Sequence, residues 1–249
     1  MAQQVLAELP FYTFETKPKA VGCLLETSII IPAYNEELGL PVVLSNVLSK
    51  IDGSCEVLVV DDGSTDGTKP VASGFPCTVI SHEANYGKGQ AIKTGAAVAR
   101  GENIISIDAD DTYPVETISA IVSGLEDYDL VIASRSKGTK NIPLVNRFGN
   151  AIIGILIRIV SGYKLSDPLT GLYGIKKSHL TSMSLSSRGF GLETEISIKA
   201  AKMGLKMLEI PIDYRSRLGE AKLNALRDGW IIFTTILRFA FWQQPQETA

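Results

Sequence analysis

Histidine is scarce in this chain: only His82 and His179 occur among 249 residues. That argues against a histidine-rich metal site and against a Ser–His–Asp triad. Cysteine is scarce as well. Cys23, Cys55 and Cys77 are odd in number and show no C-x-x-C spacing, so they read as small buried residues of a reducing compartment, not as a disulfide framework or a zinc site. Long basic runs are missing and the net charge is −3, which excludes an electrostatic case for nucleic-acid binding. No G-x-G-x-x-G follows the first strand and no G-x-x-x-x-G-K-[ST] occurs, which disfavours the usual dinucleotide fold and excludes a P-loop. The N-terminus lacks the basic-then-apolar order of a secretory signal. The two most apolar stretches, 151–160 and 230–242, are interrupted by Arg158 and Arg238. Both are shorter than the ~20 residues that span a bilayer. The expectation is a soluble or peripheral protein of the cytoplasm.

What is present reads as one large α/β domain. Hydrophobic residues make up 45% and charged residues 20%, the balance of a globular chain with a sizeable core. Short β-branched runs at 27–32, 55–60, 78–80, 103–108 and 129–135 predict strands. Helical patterns separate them: one ending near Lys50, with Pro41 predicting a late start or a kink, a short one after 68, then 90–100 and 114–124, with Pro114 in the first turn. Alternating strands and helices predict a doubly wound, mostly parallel sheet, with ligands at the carboxyl ends of its strands. An apolar helix from 143 to about 162, a strand at 172–175, helices at 177–183 and 191–201, an extended stretch at 205–214 and a last helix from about 224 to 241 complete the chain.

The polar residues gather where strands end: 32–36, 61–66, 108–111 and Arg135. Asp108 and Asp110 lie two apart, a spacing that puts both on one side of an extended strand end. Carboxylates so close repel each other unless a cation sits between them. Holding Mg²⁺ or Mn²⁺ against a phosphate is the simplest use of such a pair; a solvated acidic turn is the alternative.

Seven motifs together resemble the family 2 glycosyltransferases and, within them, the polyprenyl-phosphate sugar synthases of the dolichyl-phosphate mannose synthase type. They are Pro32-Ala-Tyr-Asn-Glu36, Val60-Asp-Asp-Gly-Ser64 with Asp66-Gly67, Asn85-x-Gly-Lys-Gly89, Asp108-Ala109-Asp110, Asp167-x-x-Thr-Gly171, Glu193-x-Glu195 and Gly219-x-x-Lys222. The resemblance implies a GT-A-type fold over 27–216, preceded by a loosely held arm, 1–26. An acceptor-side loop, an amphipathic helix and a polar tail follow in 217–249. It implies inverting transfer of a hexose from GDP-mannose or a UDP-sugar to dolichyl or polyprenyl phosphate. In that reading Pro32, Tyr34, Glu36, Asp61, Asp62, Lys88 and Ala109 face the donor. Asp108 and Asp110 hold the metal, and with Arg135 they form the catalytic set. Arg147, Arg217 and Lys222 serve the acceptor phosphate.

Several alternatives stay open at this point. One of Asp61 and Asp62 contacts the nucleotide while the other caps or orients. Lys88 is either a phosphate neighbour at a helix start or a solvated lysine. Arg147, inside an apolar helix, faces the site or snorkels at a surface. Asp167 holds basic side chains or the Thr170 turn. A phosphate monoester is anionic near neutral pH and needs positioning, not deprotonation. A soluble or glycan hydroxyl acceptor would need a base, with Asp111 and Glu195 as the choices. A non-catalytic nucleotide-sugar-binding module is the third reading. Thr112 stands where the mannose synthases commonly carry Gln, and Arg215 and Arg217 flank the position of their expected Arg, so the donor's base and sugar stay open. The cluster Trp230, Ile231, Ile232, Phe233, Ile236, Leu237, Phe239, Phe241 and Trp242 suits a helix lying in a membrane interface. A core helix or an oligomer contact would use the same residues.

Overall fold

In Thr27–Ala33 and Cys55–Asp61 every residue is buried. Unbroken burial of a β-branched run marks strands covered on both faces, as in the middle of a parallel sheet. The computed structural model describes residues 12–15, 25–137, 144–220 and 225–243, and it places these two strands, β2 and β3, side by side in parallel. The other strands are β1 Tyr12–Glu15, β4 Thr78–His82, β5 Asn103–Ser106, β6 Leu130–Ser134, β7 Tyr173–Lys176 and β8 Met207–Pro211. They form one sheet in the order β1-β4-β3-β2-β5-β7-β6-β8.

The expected parallel arrangement holds for β4, β3, β2 and β5, and again for β6 with β8. Two strands run the other way. β7 lies antiparallel between β5 and β6, and β1 lies antiparallel on the edge strand β4. The arm is therefore not loose throughout. Tyr-Thr-Phe-Glu favours a pleated surface, and β4 offers it a row of backbone groups that would otherwise stay unpaired.

The helices cover both faces. α1, Leu40–Lys50, buries Leu40, Val43, Leu44 and Val47, one stripe of a 3.6-residue period. Pro41 sits in its first turn, where no N–H partner is needed, so the helix starts there instead of kinking. α2 spans Thr68–Ser73, and α3 spans Lys88–Val98. α3 packs close on β2: a Cβ at Gly95 would come within 2.7 Å of Ile30. α4, Thr117–Asp127, begins later than its proline suggested. Thr112 and Tyr113 are buried in the site, and Thr117 N–H bonds Pro114 C=O as a preceding turn. β5 likewise ends at Ser106, two residues before Asp108.

After α5, Leu144–Ser161, and α6, Lys177–Ser182, come α7, Leu192–Lys202, and α8, Ala225–Phe239. α7 is buried without a break from Leu192 to Ala200, including Glu193, Glu195 and Lys199. α5, α7 and α8 share a small core of Ile157, Ile198, Ile232, Ile236 and Phe239. Ile232, Ile236 and Phe239 form the inner stripe of α8, while Trp230 at 66% and Leu237 at 55% exposure mark its outer face. The last helix is thus a core helix on one side and an apolar surface on the other. Among the described residues, no helix is long and apolar enough to cross a membrane.

Candidate active site

The register Ala33↔Asp61 brings the ends of β2 and β3 level, and their turns are laced together. Asn35 N–H donates to Ser64 Oγ at 2.9 Å, Thr65 N–H to Asn35 Oδ1 at 2.8 Å, and Glu36 N–H to Thr68 Oγ1 at 2.7 Å. Pro32 and Glu36 are buried and Tyr34 is half-buried along this edge. Asp61 and Asp62 divide their work. Asp61 Oδ1 accepts Ser64 N–H at 3.1 Å. Asp62 has both oxygens committed: Oδ1 to His82 Nδ1 (2.6 Å) and Tyr86 N–H (3.0 Å), Oδ2 to Gly87 N–H (2.7 Å). His82 Nε2 reaches Thr94 Oγ1 at 3.0 Å. Asp62 therefore orients the turn that starts α3. Composition alone dismissed His82. The usable signal was its place at the end of a buried strand, since the pairing of Asp61 with Ser81 sets His82 beside Asp62.

Lys88 is neither solvated nor open to a ligand in this structure. Its Nζ lies 2.7 Å from Asp108 Oδ1 and 2.7 Å from Glu193 Oε1. Burial opposes the ammonium charge, but the two carboxylates outweigh it and hold the pKa well above the ordinary lysine value. The Glu193 carboxyl is raised as well: burial pushes it up against the pull of Lys88. The second oxygen of Asp108 faces Gly171, where an added Cβ would overlap the carboxylate. Gly171 N–H is held by the Tyr113 hydroxyl at 2.6 Å. The glycine of Asp167-x-x-Thr-Gly171 is thus a contact requirement.

Asp110 is buried, and both of its oxygens are engaged. Oδ1 accepts Thr112 N–H at 3.1 Å and the Thr112 hydroxyl at 2.5 Å; Oδ2 accepts Arg217 Nη1 at 2.7 Å. Burial and the Asp108 charge push the Asp110 carboxyl up, against Thr112 and Arg217. Arg217 also donates from Nη2 to Glu36 Oε1, so one guanidinium joins the 32–36 turn to the 108–111 turn. Ala109 is buried, and its carbonyl lies 2.5 Å from where a Cβ on Gly39 would stand. Asp111 turns the chain at φ 60°, a region that Asp tolerates better than most residues.

Arg135 is fixed by Asp167, with Nε to Oδ2 and Nη2 to Oδ1 both at 2.6 Å, and by Leu169 C=O at 3.1 Å. Asp167 therefore holds an arginine. Glu195 is fully buried, paired with Lys199 Nζ at 2.6 Å and accepting Ser187 N–H at 2.8 Å. That removes it as a base for a hydroxyl acceptor. Arg147 lies on α5, but its side chain is outside the described residues, as is all of Lys222.

Asp108 and Asp110 offer hard oxygen donors. Among the described residues no group of three or more His, Cys, Asp or Glu converges as a metal cage. Two neighbouring carboxylates, one of them pushed toward neutrality by burial and by the other's charge, fit a hard divalent cation that takes its remaining ligands from substrate oxygens and water.

Comparison with known proteins gives the family and the fold. The model of Glycosyl transferase family 2 matches residues 28–181. The dolichyl-phosphate hexose transferase of Haloferax volcanii is 31% identical over 215 residues, 86% of this chain and 93% of its own. The undecaprenyl-phosphate mannosyltransferase of Micrococcus luteus is 29% identical over 228 residues, 86% of this chain and 92% of its own. Glucosyl-3-phosphoglycerate synthase of Mycobacterium tuberculosis, solved with Mn²⁺, UDP and phosphoglyceric acid, superposes with a TM-score of 0.71 at 25% identity. That match covers 90% of this chain and 80% of the other.

Proposed function

Because this chain belongs to glycosyl transferase family 2, we propose that it moves a hexose from a nucleoside-diphosphate sugar to a polyprenyl or dolichyl phosphate, with inversion at the anomeric carbon. Its fold is the GT-A arrangement. One observation carries the reading: two acid–cation clusters, Lys88 with Asp108 and Glu193, and Arg217 with Asp110 and Glu36, meet at the carboxyl ends of β2 and β5. A diphosphate placed there would meet a cation on either side, each released by the carboxylates that now hold it. The relatives named for dolichyl and undecaprenyl phosphate support the lipid acceptor.

In this reading Pro32, Tyr34, Glu36 and Asp61 take the nucleoside, and Asp62 holds the turn before Lys88 through the backbone amides of Tyr86 and Gly87. Asp108 and Asp110 would hold Mg²⁺ or Mn²⁺, which when bound neutralises charge on the leaving nucleoside diphosphate. An acceptor phosphate oxygen forms the new bond to the anomeric carbon as the bond to the diphosphate breaks. No base is needed, because the monoester is already anionic. Arg147, Arg217 and Lys222 serve that phosphate. Arg135, paired with Asp167 and Leu169 C=O, fixes the 167–171 turn beside the site.

A panel of nucleotide sugars, offered with and without polyprenyl phosphate, tests the whole reading. Label from one donor is expected in the lipid phase only when the lipid phosphate and Mg²⁺ or Mn²⁺ are present. Transfer to a soluble hydroxyl without lipid would establish the other acceptor class. No turnover with any donor would leave a binding module.

The outer face of α8 gives the peripheral membrane contact in this proposal, at the cytoplasmic face. Trp230, Phe233 and Leu237 are exposed together, with Phe241 beyond them at 92%. Each apolar side chain buried in lipid contributes about 1.5–3 kcal/mol. Changing Trp230, Phe233 and Leu237 together to Ser is expected to weaken sedimentation with anionic vesicles by at least about tenfold. Unchanged vesicle binding together with loss of a dimer on size exclusion would make the face an oligomer contact instead.

A further inference from the structure

We propose that Arg217 is the resident counter-cation of Asp110 and must leave it before a metal ion can bind there. The inference rests on the reading of Asp108 and Asp110 as the metal carboxylates. It starts from the partners that Asp110 already has. Asp110 Oδ1 already accepts two hydrogen bonds from Thr112, and Oδ2 accepts Arg217 Nη1 at 2.7 Å. A metal at Oδ2 and a guanidinium at Oδ2 are two cations at one oxygen, and they repel.

The segment that carries Arg217 is clasped to the same turn by its backbone. Arg215 N–H bonds Thr112 C=O at 2.9 Å, and Leu218 N–H bonds Asp110 C=O at 3.0 Å. Arg215 reaches Glu116 at 3.1 Å. Gly219 follows at φ +79°, a left-handed turn that glycine adopts without strain. Arg217 Nη2 closes the clasp on Glu36. While the clasp is shut, the Nη1–Nη2 edge of Arg217 is taken by the carboxylates of Asp110 and Glu36 and is not given to an acceptor phosphate. Metal arrival frees that edge. Donor-side loading and acceptor-side readiness are therefore linked through one side chain, and the link acts in both directions.

The test is Mn²⁺ binding without any substrate, followed by electron paramagnetic resonance. Arg217→Ala and, as a less disruptive variant, Arg217→Gln are expected to bind Mn²⁺ about tenfold more tightly than wild type, in the range of coupling between linked sites. Mn²⁺ is expected to speed tryptic cleavage after Arg215 in the wild-type chain, with thermal unfolding confirming that each variant is folded. Equal or weaker Mn²⁺ binding by both variants overturns the inference. If in addition wild type and Asp110→Asn bind equally, the metal assignment itself fails. If wild type binds, Asp110→Asn does not, and the arginine variants match wild type, only the clasp is wrong.

Discussion

Asp110→Asn is expected to lower sugar transfer by about 10³-fold while the protein stays folded. Charge neutralisation by a bound metal contributes several kcal/mol to a transition state, and about 4 kcal/mol corresponds to that factor. Stability should move little, and the sign is definite. Burial and the Asp108 charge raise the Asp110 carboxyl above its ordinary value. A raised carboxyl means that the folded state holds its proton more tightly than the unfolded one. That contribution is absent below the ordinary carboxylate pKa and destabilises as pH rises through the folded value. Asparagine removes the burden at neutral pH, and Arg217 keeps Glu36 as partner. Measured turnover and thermal midpoint should therefore separate, with activity lost and the midpoint unchanged or higher. Near-normal turnover with excess Mn²⁺ would refute the role given to Asp110.

Lys88→Met is expected to do the reverse and strike stability first. It strands Asp108 and the buried Glu193 without their shared cation. Removing one member of a buried ion pair typically costs ~3–5 kcal/mol, and in a chain of this size that lowers the thermal midpoint by about 10 °C. Glu193→Gln added to Lys88→Met is expected to restore part of the loss, because the amide needs no counter-charge. The lysine stays protonated throughout the working pH range, so loss of its charge should contribute no titration step near neutrality. A Lys88→Met midpoint within a degree of wild type would mean that the two carboxylates have other partners.

How much of this could be read in advance follows from which signals are local. The buried runs of β2 and β3, the stripe on α1 and the acid pair at 108 and 110 are local patterns, and each was legible. The residue types of the site were legible too, through motifs. Their pairings were not. Lys88 meets Glu193 only because α7 returns to the start of α3, and nothing near either residue specifies that contact. The same holds for Arg135 with Asp167 and for Arg217 with Asp110 and Glu36. The strand at 172–175 was legible, but its direction was not. Direction depends on α5 bringing the chain back to the end of the sheet from which β6 had just left. His82 failed for a different reason. A lone histidine carries no sequence signal for a buried carboxylate partner, and only the strand register supplies one.

The reversed strand β7 also fixes an order of assembly. β4, β3, β2 and β5 find their neighbours among segments made before residue 107. β6, ending at Ser134, pairs with neither of the strands made just before it; its partners are β7, starting at Tyr173, and β8, ending at Pro211. A chain emerging from the ribosome therefore carries a finished half-sheet whose β5 edge stays open until β7 arrives. An open strand edge is a template for pairing with other chains, and transient exposure of this kind draws aggregation and chaperones. The smallest piece able to close the sheet ends near Pro211, some way past the 28–181 span that defines the family match. Fragments cut at that family boundary would carry Asp108 and Asp110 but leave β6 with one side bare.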